Sequence, residues 1–147
     1  MKYDILVIGS GPGGYVAAIR AAQLGRTVAI VEKAETGGVC LNWGCIPTKA
    51  LLKSAQVYAY CKNAAHYGVD IAGEVKPDFA KIVARSRSVA ETMSKGVTFL
   101  LNKNHINVIK GFGRLVGKGR VDVDGTVYEA ENIILATGAR PRVMPFM

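Results

Sequence analysis

Apolar residues along this chain change their spacing several times, and each change marks an element. Lys2 to Ile8 carries the run Tyr-Asp-Ile-Leu-Val-Ile, continuous enough for a strand buried within a parallel sheet. Gly9-Ser-Gly11-Pro-Gly13-Gly14 follows at once. Val16, Ala17, Ile19, Ala21 and Leu24 then fall into a helical pattern, with Gly25 as its stop. Pro12 stands where the first helical turn begins, a position at which its missing N–H costs nothing. Thr27 to Val31 reads as a second buried strand ending in Glu32. Ala50 to Tyr60 reads as helix, with no Gly or Pro to stop it, and Tyr67-Gly68-Val69 as a break. Pro77-Asp78 opens a longer helix. Its apolar positions Phe79, Ile82, Val83, Val89, Met93, Val97, Leu100 and Leu101 predict one packing face, with Lys81, Arg85, Arg87 and Lys95 mostly off it.

Beyond this helix the pattern turns to strands. Ile106 to Ile109 predicts a third parallel strand, and Gly111 to Val116, Arg120 to Val123 and Thr126 to Tyr128 alternate as a β-meander. Asp124-Gly125 is a strong hairpin signal between the last two runs. Asn132 to Ala136 is expected as the last buried strand, ending in Thr137-Gly138. The predicted class is α/β: a Rossmann-like parallel sheet with an inserted three-stranded antiparallel β-meander. Residues 1–140 form the domain and 141–147, with Pro141 and Pro145, an exit linker.

The first strand, helix and second strand make a βαβ unit with G-x-G-x-x-G at its turn. Gly9 permits the tight turn, Gly11 lets the backbone approach a pyrophosphate, and Gly14 lets helix and strand pack closely. The helix N-terminus then offers N–H groups to phosphate. Glu32 lies 18 residues after Gly14, near the spacing expected of an acid that accepts from ribose hydroxyls. Together these features predict dinucleotide binding.

Composition narrows this picture. The chain has 147 residues, half of them apolar, which suits one domain with a real core. Three cysteines are too few for a secreted disulfide scaffold, and the run Ile5 to Ile8 is far too short for a signal or membrane segment. A soluble, cytoplasmic protein is expected. The net charge of +8 raises nucleic acid as a partner, but the basic residues are dispersed and no run interleaves with aromatics. A solvated surface that also suits an anionic cofactor explains them better, so no nucleic-acid and no membrane partner is expected.

The most distinctive stretch is Gly37-Gly-Val-Cys40-Leu-Asn-Trp-Gly-Cys45-Ile-Pro-Thr-Lys49. On a regular helix, Cα atoms five positions apart are separated by roughly 8–9 Å, whereas a disulfide wants less than about 7 Å. Bonding Cys40 to Cys45 therefore requires an irregular first turn, and Gly37, Gly38 and Gly44 supply the freedom for one. Lys49, one turn after Cys45, shares its helix face. A thiol near a helix N-terminus and a lysine is the more readily ionised. A redox dithiol, a zinc site completed by Cys61 and His66, and two inert buried cysteines are all open on residue chemistry, the redox pair favoured.

At these residues the chain resembles the pyridine nucleotide–disulfide oxidoreductases. Leu41-Asn42 and Ile46-Pro47 favour their lipoamide branch over the glutathione and mercuric reductase types. The Gly9–Gly14 fingerprint, Lys110-Gly-Phe-Gly113 and Ile134-Leu-Ala136-Thr137-Gly138 match the same family, so the resemblance covers essentially the whole chain. It implies FAD, with pyrophosphate at Gly9, Gly11, Pro12, Gly13 and Gly14 and the adenosine ribose at Glu32 and Lys33. Gly38, Val39, Gly113, Ala136, Thr137 and Gly138 are implied along the same cofactor. The resemblance also implies Cys45 as the thiol facing the flavin, Cys40 as the one exchanging with the dithiol, and Lys49 near the flavin's reactive edge. The family passes electrons from dihydrolipoyl groups, carried on lipoyl domains of 2-oxoacid dehydrogenase complexes, through the disulfide and FAD to NAD, and it works as a homodimer.

Trp43 and Thr48 depart mildly from the family pattern. Family members are considerably longer, with a nicotinamide domain and a dimerisation domain that supplies a His–Glu acid/base pair. His66 and His105 match no such motif and are expected on the surface or in turns. The chain is thus expected to be the N-terminal FAD-binding portion, not competent alone and without a metal. The competing expectation is a non-catalytic nucleotide-binding module.

Overall fold

A computed structural model describes residues 2–140 and 142–146. Met1, Pro141 and Met147 lie outside the described residues, so the start of the expected domain and part of the expected 141–147 linker fall there. Strand β1 (Lys2–Ile8) leads through the glycine loop into α1 (Pro12–Gln23), and β2 (Val28–Glu32) pairs parallel to β1 with Leu6 opposite Ala29. A short helix α2 (Gly38–Asn42) and the longer α3 (Cys45–Lys62) are split at Trp43-Gly44. Helix α4 (Phe79–Lys103) is capped by Asp78, whose side chain accepts from the Lys81 N–H at 3.0 Å. Strands β3 (Asn107–Lys110), β4 (Gly113–Gly117), β5 (Arg120–Val123) and β6 (Thr126–Leu135) complete a six-stranded mixed sheet in the order β3-β2-β1-β6-β5-β4.

Two apolar clusters sandwich the parallel strands. Val7, Val28 and Ile30 point to one face and meet Ala18 and Ala21 of α1, Leu41 of α2, and Val97 and Leu101 of α4. Leu6, Ile8, Ala29 and Val31 point to the other and meet Val121 and Val123 of β5. The alternation of the pleat divides the two sets, which is why β2 reads as a continuous buried run. Among the described residues no helix is long and apolar enough to cross a membrane.

The meander differs from expectation in one respect. Its third run and the last buried strand are a single strand, β6. The first half of β6 pairs antiparallel with β5, from Val123 opposite Thr126 to Arg120 opposite Glu129. From Glu129 to Leu135 it runs parallel to β1. The meander is therefore continuous with the parallel sheet, and β6 changes partner at Glu129. Asp124 (φ +48°) and Gly125 (φ +89°) form the turn that the Asp-Gly pair announced.

The packing face of α4 also departs from expectation. Its buried positions are Ser86, Ala90, Val97 and Leu101, whereas Phe79, Val83, Met93 and Leu100 are exposed. Small side chains at Ser86 and Ala90 fit where large ones would hold the neighbouring elements apart, and a purely hydrophobic reading passes over Ser. Arg85 and Arg87, expected off the face, tie the helices together. The Arg85 guanidinium donates to the Ala50 carbonyl at 2.9 Å and Arg87 to the Asn42 carbonyl at 2.8 Å, the latter near the open end of α2. Ser94 donates to the Thr36 carbonyl at 2.7 Å. These contacts anchor the cysteine-bearing loop to the longest helix.

Candidate functional site

The glycine loop is built by contacts that leave no room for side chains. A Cβ on Gly9, whose φ is +102°, would sit 2.2 Å from the Ala136 carbonyl oxygen. One on Gly14 would sit 1.8 Å from the Gly9 carbonyl oxygen. Gly11 and Gly13 are different, because a Cβ there would meet nothing within 4 Å. The loop thus packs on one side and is open on the other. Gly38 lies directly against it, its hypothetical Cβ 2.8 Å from the Gly11 Cα, so the helix bearing Cys40 begins on the phosphate-type loop itself.

The open side faces a cavity of about 610 Å³. Of the residues singled out from sequence, Gly9, Gly11 and Pro12 line it from the glycine loop. Glu32 and Lys33 line it from the end of β2, and Gly38, Val39 and Cys40 from α2. Gly113, Ala136, Thr137 and Gly138 close it. Gly13, Gly14, Cys45 and Lys49 are not in its wall: Gly14 is buried beneath the loop, and the other three are exposed.

Glu32 is buried at the end of β2 and held from three directions. One carboxylate oxygen accepts from the Ser10 N–H at 2.9 Å and the Ser10 hydroxyl at 2.6 Å, and the other from the Ala34 N–H at 2.9 Å. Burial pushes its pKa up. The Ser10 hydroxyl, the two N–H groups and the Lys110 charge outweigh that and hold it below the ordinary carboxylate value. It is ionised at neutral pH, and the oxygen that accepts from Ala34 keeps a lone pair for a further donor.

The two cysteines are free thiols on either side of the α2–α3 break, with Cys45 near enough to Cys40 to shift its ionisation. The break occurs where Gly44 was expected to allow it, and α3 is regular from Cys45 on, which places Lys49 one turn along. The Cys40 thiol is pushed above its ordinary value, first by its hydrogen bond with Cys45, then by burial and the Cys45 charge, while Lys49 opposes the shift. Alkylation of Cys40 by iodoacetamide, followed by peptide mass, is therefore expected to have its pH midpoint above the ordinary thiol value. Lys49→Met is expected to move that midpoint higher still. A midpoint below that of a free thiol would contradict this arrangement.

Cys61 lies far along α3 and His66 in the turn after it, His66 stacked edge-on against Tyr67 at 5.4 Å. Among the described residues no group of three or more His, Cys, Asp or Glu side chains is placed to hold a metal ion. Sequence reasoning passed over three contributors. Ser10 was an unassigned position within the fingerprint. Trp43 was read only as a departure from the family pattern, and it lines the cavity, 56% exposed. Phe112 also lines it, with the Lys33 ammonium 5.3 Å from its ring centre and the Arg114 guanidinium at 5.5 Å. An aromatic flanked by cations from distant parts of the chain carries no local sequence signal.

Fold and site together define a nucleotide-binding α/β domain with a dithiol beside its cavity. A family model described as pyridine nucleotide-disulphide oxidoreductase matches residues 3–147. The chain is 53% identical over 150 residues to a dihydrolipoyl dehydrogenase of Zymomonas mobilis, covering 97% of this chain and 32% of that protein. It is 54% identical over 149 residues to one of Chlorobaculum tepidum, covering 98% and 32%. With one of Acholeplasma laidlawii the identity is 49% over 144 residues, covering 98% and 43%. The chain thus spans about a third of the length of the first of these relatives. It belongs to the pyridine nucleotide-disulphide oxidoreductase family.

Membership implies FAD as the cofactor, and the residues present fit it. The loop's open face at Gly11 has room for a pyrophosphate, and an ionised Glu32 and Cys40 border the same cavity.

Proposed function

We propose that this chain is the FAD- and disulfide-bearing portion of a flavoprotein that oxidises protein-bound dihydrolipoyl groups. Residues 1–140 form that portion and residues 141–147 lead toward a nicotinamide domain. The observation that carries the reading is a dithiol whose first member lines the cavity holding the glycine loop and Glu32. In the disulfide form of the pair, a substrate thiolate attacks the Cys40 sulfur and Cys45 leaves as a thiolate. The second substrate thiol then attacks the mixed disulfide, closes the lipoyl ring and releases Cys40. Two electrons have passed from substrate to the cysteine pair; the proton of the first substrate thiol has gone to solvent, and that of the second to the departing Cys40 sulfur. Bound FAD supplies the acceptor for those electrons, and in full-length members NAD follows.

Family pattern supports Cys45 as the flavin-side thiol and Cys40 as the exchanging one. Gly9, Gly11, Pro12, Gly13 and Gly14 serve the pyrophosphate, and Glu32 and Lys33 the adenosine end. Gly38, Val39, Gly113, Ala136, Thr137 and Gly138 complete the cofactor wall, with Lys49 at the flavin. Lipoyl domains of 2-oxoacid dehydrogenase complexes, a homodimeric whole protein and a cytoplasmic location belong to the same reading. Complete turnover calls for the NAD domain and the acid/base pair that family members carry elsewhere.

The test is direct. Purified chain incubated with FAD and desalted is expected to keep a flavin absorption spectrum. Adding dihydrolipoamide is then expected to raise the free-thiol count from that of Cys61 alone to all three cysteines. Retained flavin without thiol change would favour a non-catalytic nucleotide module. Absence of both signals would overturn the reading.

A further inference from the structure

Ser10 is fully buried, and nothing in its own neighbourhood of glycines requires a hydroxyl. Its polar atoms nevertheless join three functional segments. Its N–H and hydroxyl both donate to one oxygen of Glu32. Its hydroxyl oxygen accepts from the Gly37 N–H at 3.3 Å, and its carbonyl accepts from the same N–H at 3.0 Å. Gly37 has φ +96° and immediately precedes α2, which carries Cys40 three residues on. A hydroxyl can donate once and still accept, so one side chain serves both neighbours at once.

We propose that Ser10 is a positioning residue that couples the ribose-binding acid Glu32 to the first turn of the redox helix. This rests on the flavin reading for what Glu32 binds, but the link from Ser10 to Gly37 stands on geometry alone. The hydroxyl donates toward Glu32, which leaves its oxygen lone pairs turned to Gly37. The hydroxyl therefore reinforces the carboxylate's orientation and the α2 turn together, beside the backbone N–H and carbonyl of the same residue. Filling the ribose end fixes Glu32, hence Ser10, hence the turn that presents Cys40. Ala or Gly fits where Ser is already enclosed and keeps the backbone contacts, the N–H to Glu32 and the carbonyl to Gly37, but loses both contacts of the hydroxyl.

The test uses the full chain as wild type, Ser10→Ala, Ser10→Gly, Glu32→Gln and the double variant Ser10→Ala/Glu32→Gln. FAD affinity is read from flavin fluorescence and alkylation rates of the reduced, FAD-free protein from peptide mass. Loss of a hydrogen bond to a charged group is expected to weaken FAD about tenfold in Ser10→Ala, with no further loss when it is added to Glu32→Gln. Cys40 alkylation is expected to rise about threefold, while Cys61, distant on α3, keeps its rate and reports that the fold is intact. Ser10→Gly removes the hydroxyl without any overpacking and is expected to behave alike.

Wild-type FAD affinity in both Ser10 variants, losses that multiply in the double variant, or equal acceleration of Cys40 and Cys61 would each overturn the proposal. If wild type itself takes up no FAD, the flavin reading falls, and alkylation alone decides the role of Ser10. A rise confined to Cys40 upholds the link, and unchanged rates remove it.

Discussion

Gly14→Ala is expected to lower stability by about 3 kcal/mol or more, because its Cβ has nowhere to go. The clash is with the Gly9 carbonyl oxygen at 1.8 Å and the Gly9 carbonyl carbon at 2.9 Å, and the Ala136 Cβ closes the remaining side at 3.4 Å. None of these is the flexible end of a long side chain. Relief means moving either α1 or the glycine loop, and both movements open the cavity floor. For a chain of this size the melting temperature should fall by about 6–12 °C, with flavin retention lost as well. Gly13→Ala is the matching control one residue earlier. A Cβ there meets nothing within 4 Å, so the substitution is expected to leave stability unchanged or raise it by up to about 1 kcal/mol. Paired thermal melts check both, and equal melting of Gly14→Ala and wild type would mean that the loop does not pack as described.

Cys45→Ser is expected to abolish the two-electron step altogether. The reduced chain has three thiols, and mild oxidation should leave only Cys61 titratable. In the variant, the count should stay at two under both conditions, because Cys40 has lost its partner and Cys61 lies well along α3. Cys40→Ser should give the same count, but with the residual reactive thiol at Cys45, outside the cavity wall. Dithiol oxidation with added FAD should vanish in both. If oxidised wild type keeps three titratable thiols, the pair is not a redox centre. Closing the short loop between the cysteines should also stabilise oxidised wild type over reduced by about 2 kcal/mol, a gain neither variant can show.

Much of the site was legible because its logic is local. The Gly9–Gly14 loop, the helix that starts at Pro12 and the acid at Glu32 follow one another within a single βαβ unit, so spacing alone located them. The Asp124-Gly125 turn was legible for the same reason, since two adjacent residues with positive φ specify it. The break at Gly44 between two helices followed from the reach of a disulfide. Harder to read were contacts whose partners are far apart in sequence. Arg87 and Asn42 are separated by 45 residues, and Ser10 and Gly37 by 27. A serine in a glycine loop and an arginine on a polar helix face have no periodicity that announces such partners.

Residue chemistry read along the chain was thus enough to establish a Rossmann-like α/β domain, its glycine loop, an acid at the end of β2 and a close cysteine pair. Each of those depends on backbone freedom, a spacing or a turn confined to neighbouring residues. Three-dimensional pairing settled the rest. It made β6 one strand with two partners, chose Ser86 and Ala90 for the packing ridge of α4, and put Cys40 in the cavity wall but not Cys45. The physical reason is common to all three. Strand partnership, helix approach and exposure depend on what lies across the gap, and that neighbour is supplied by a distant part of the chain.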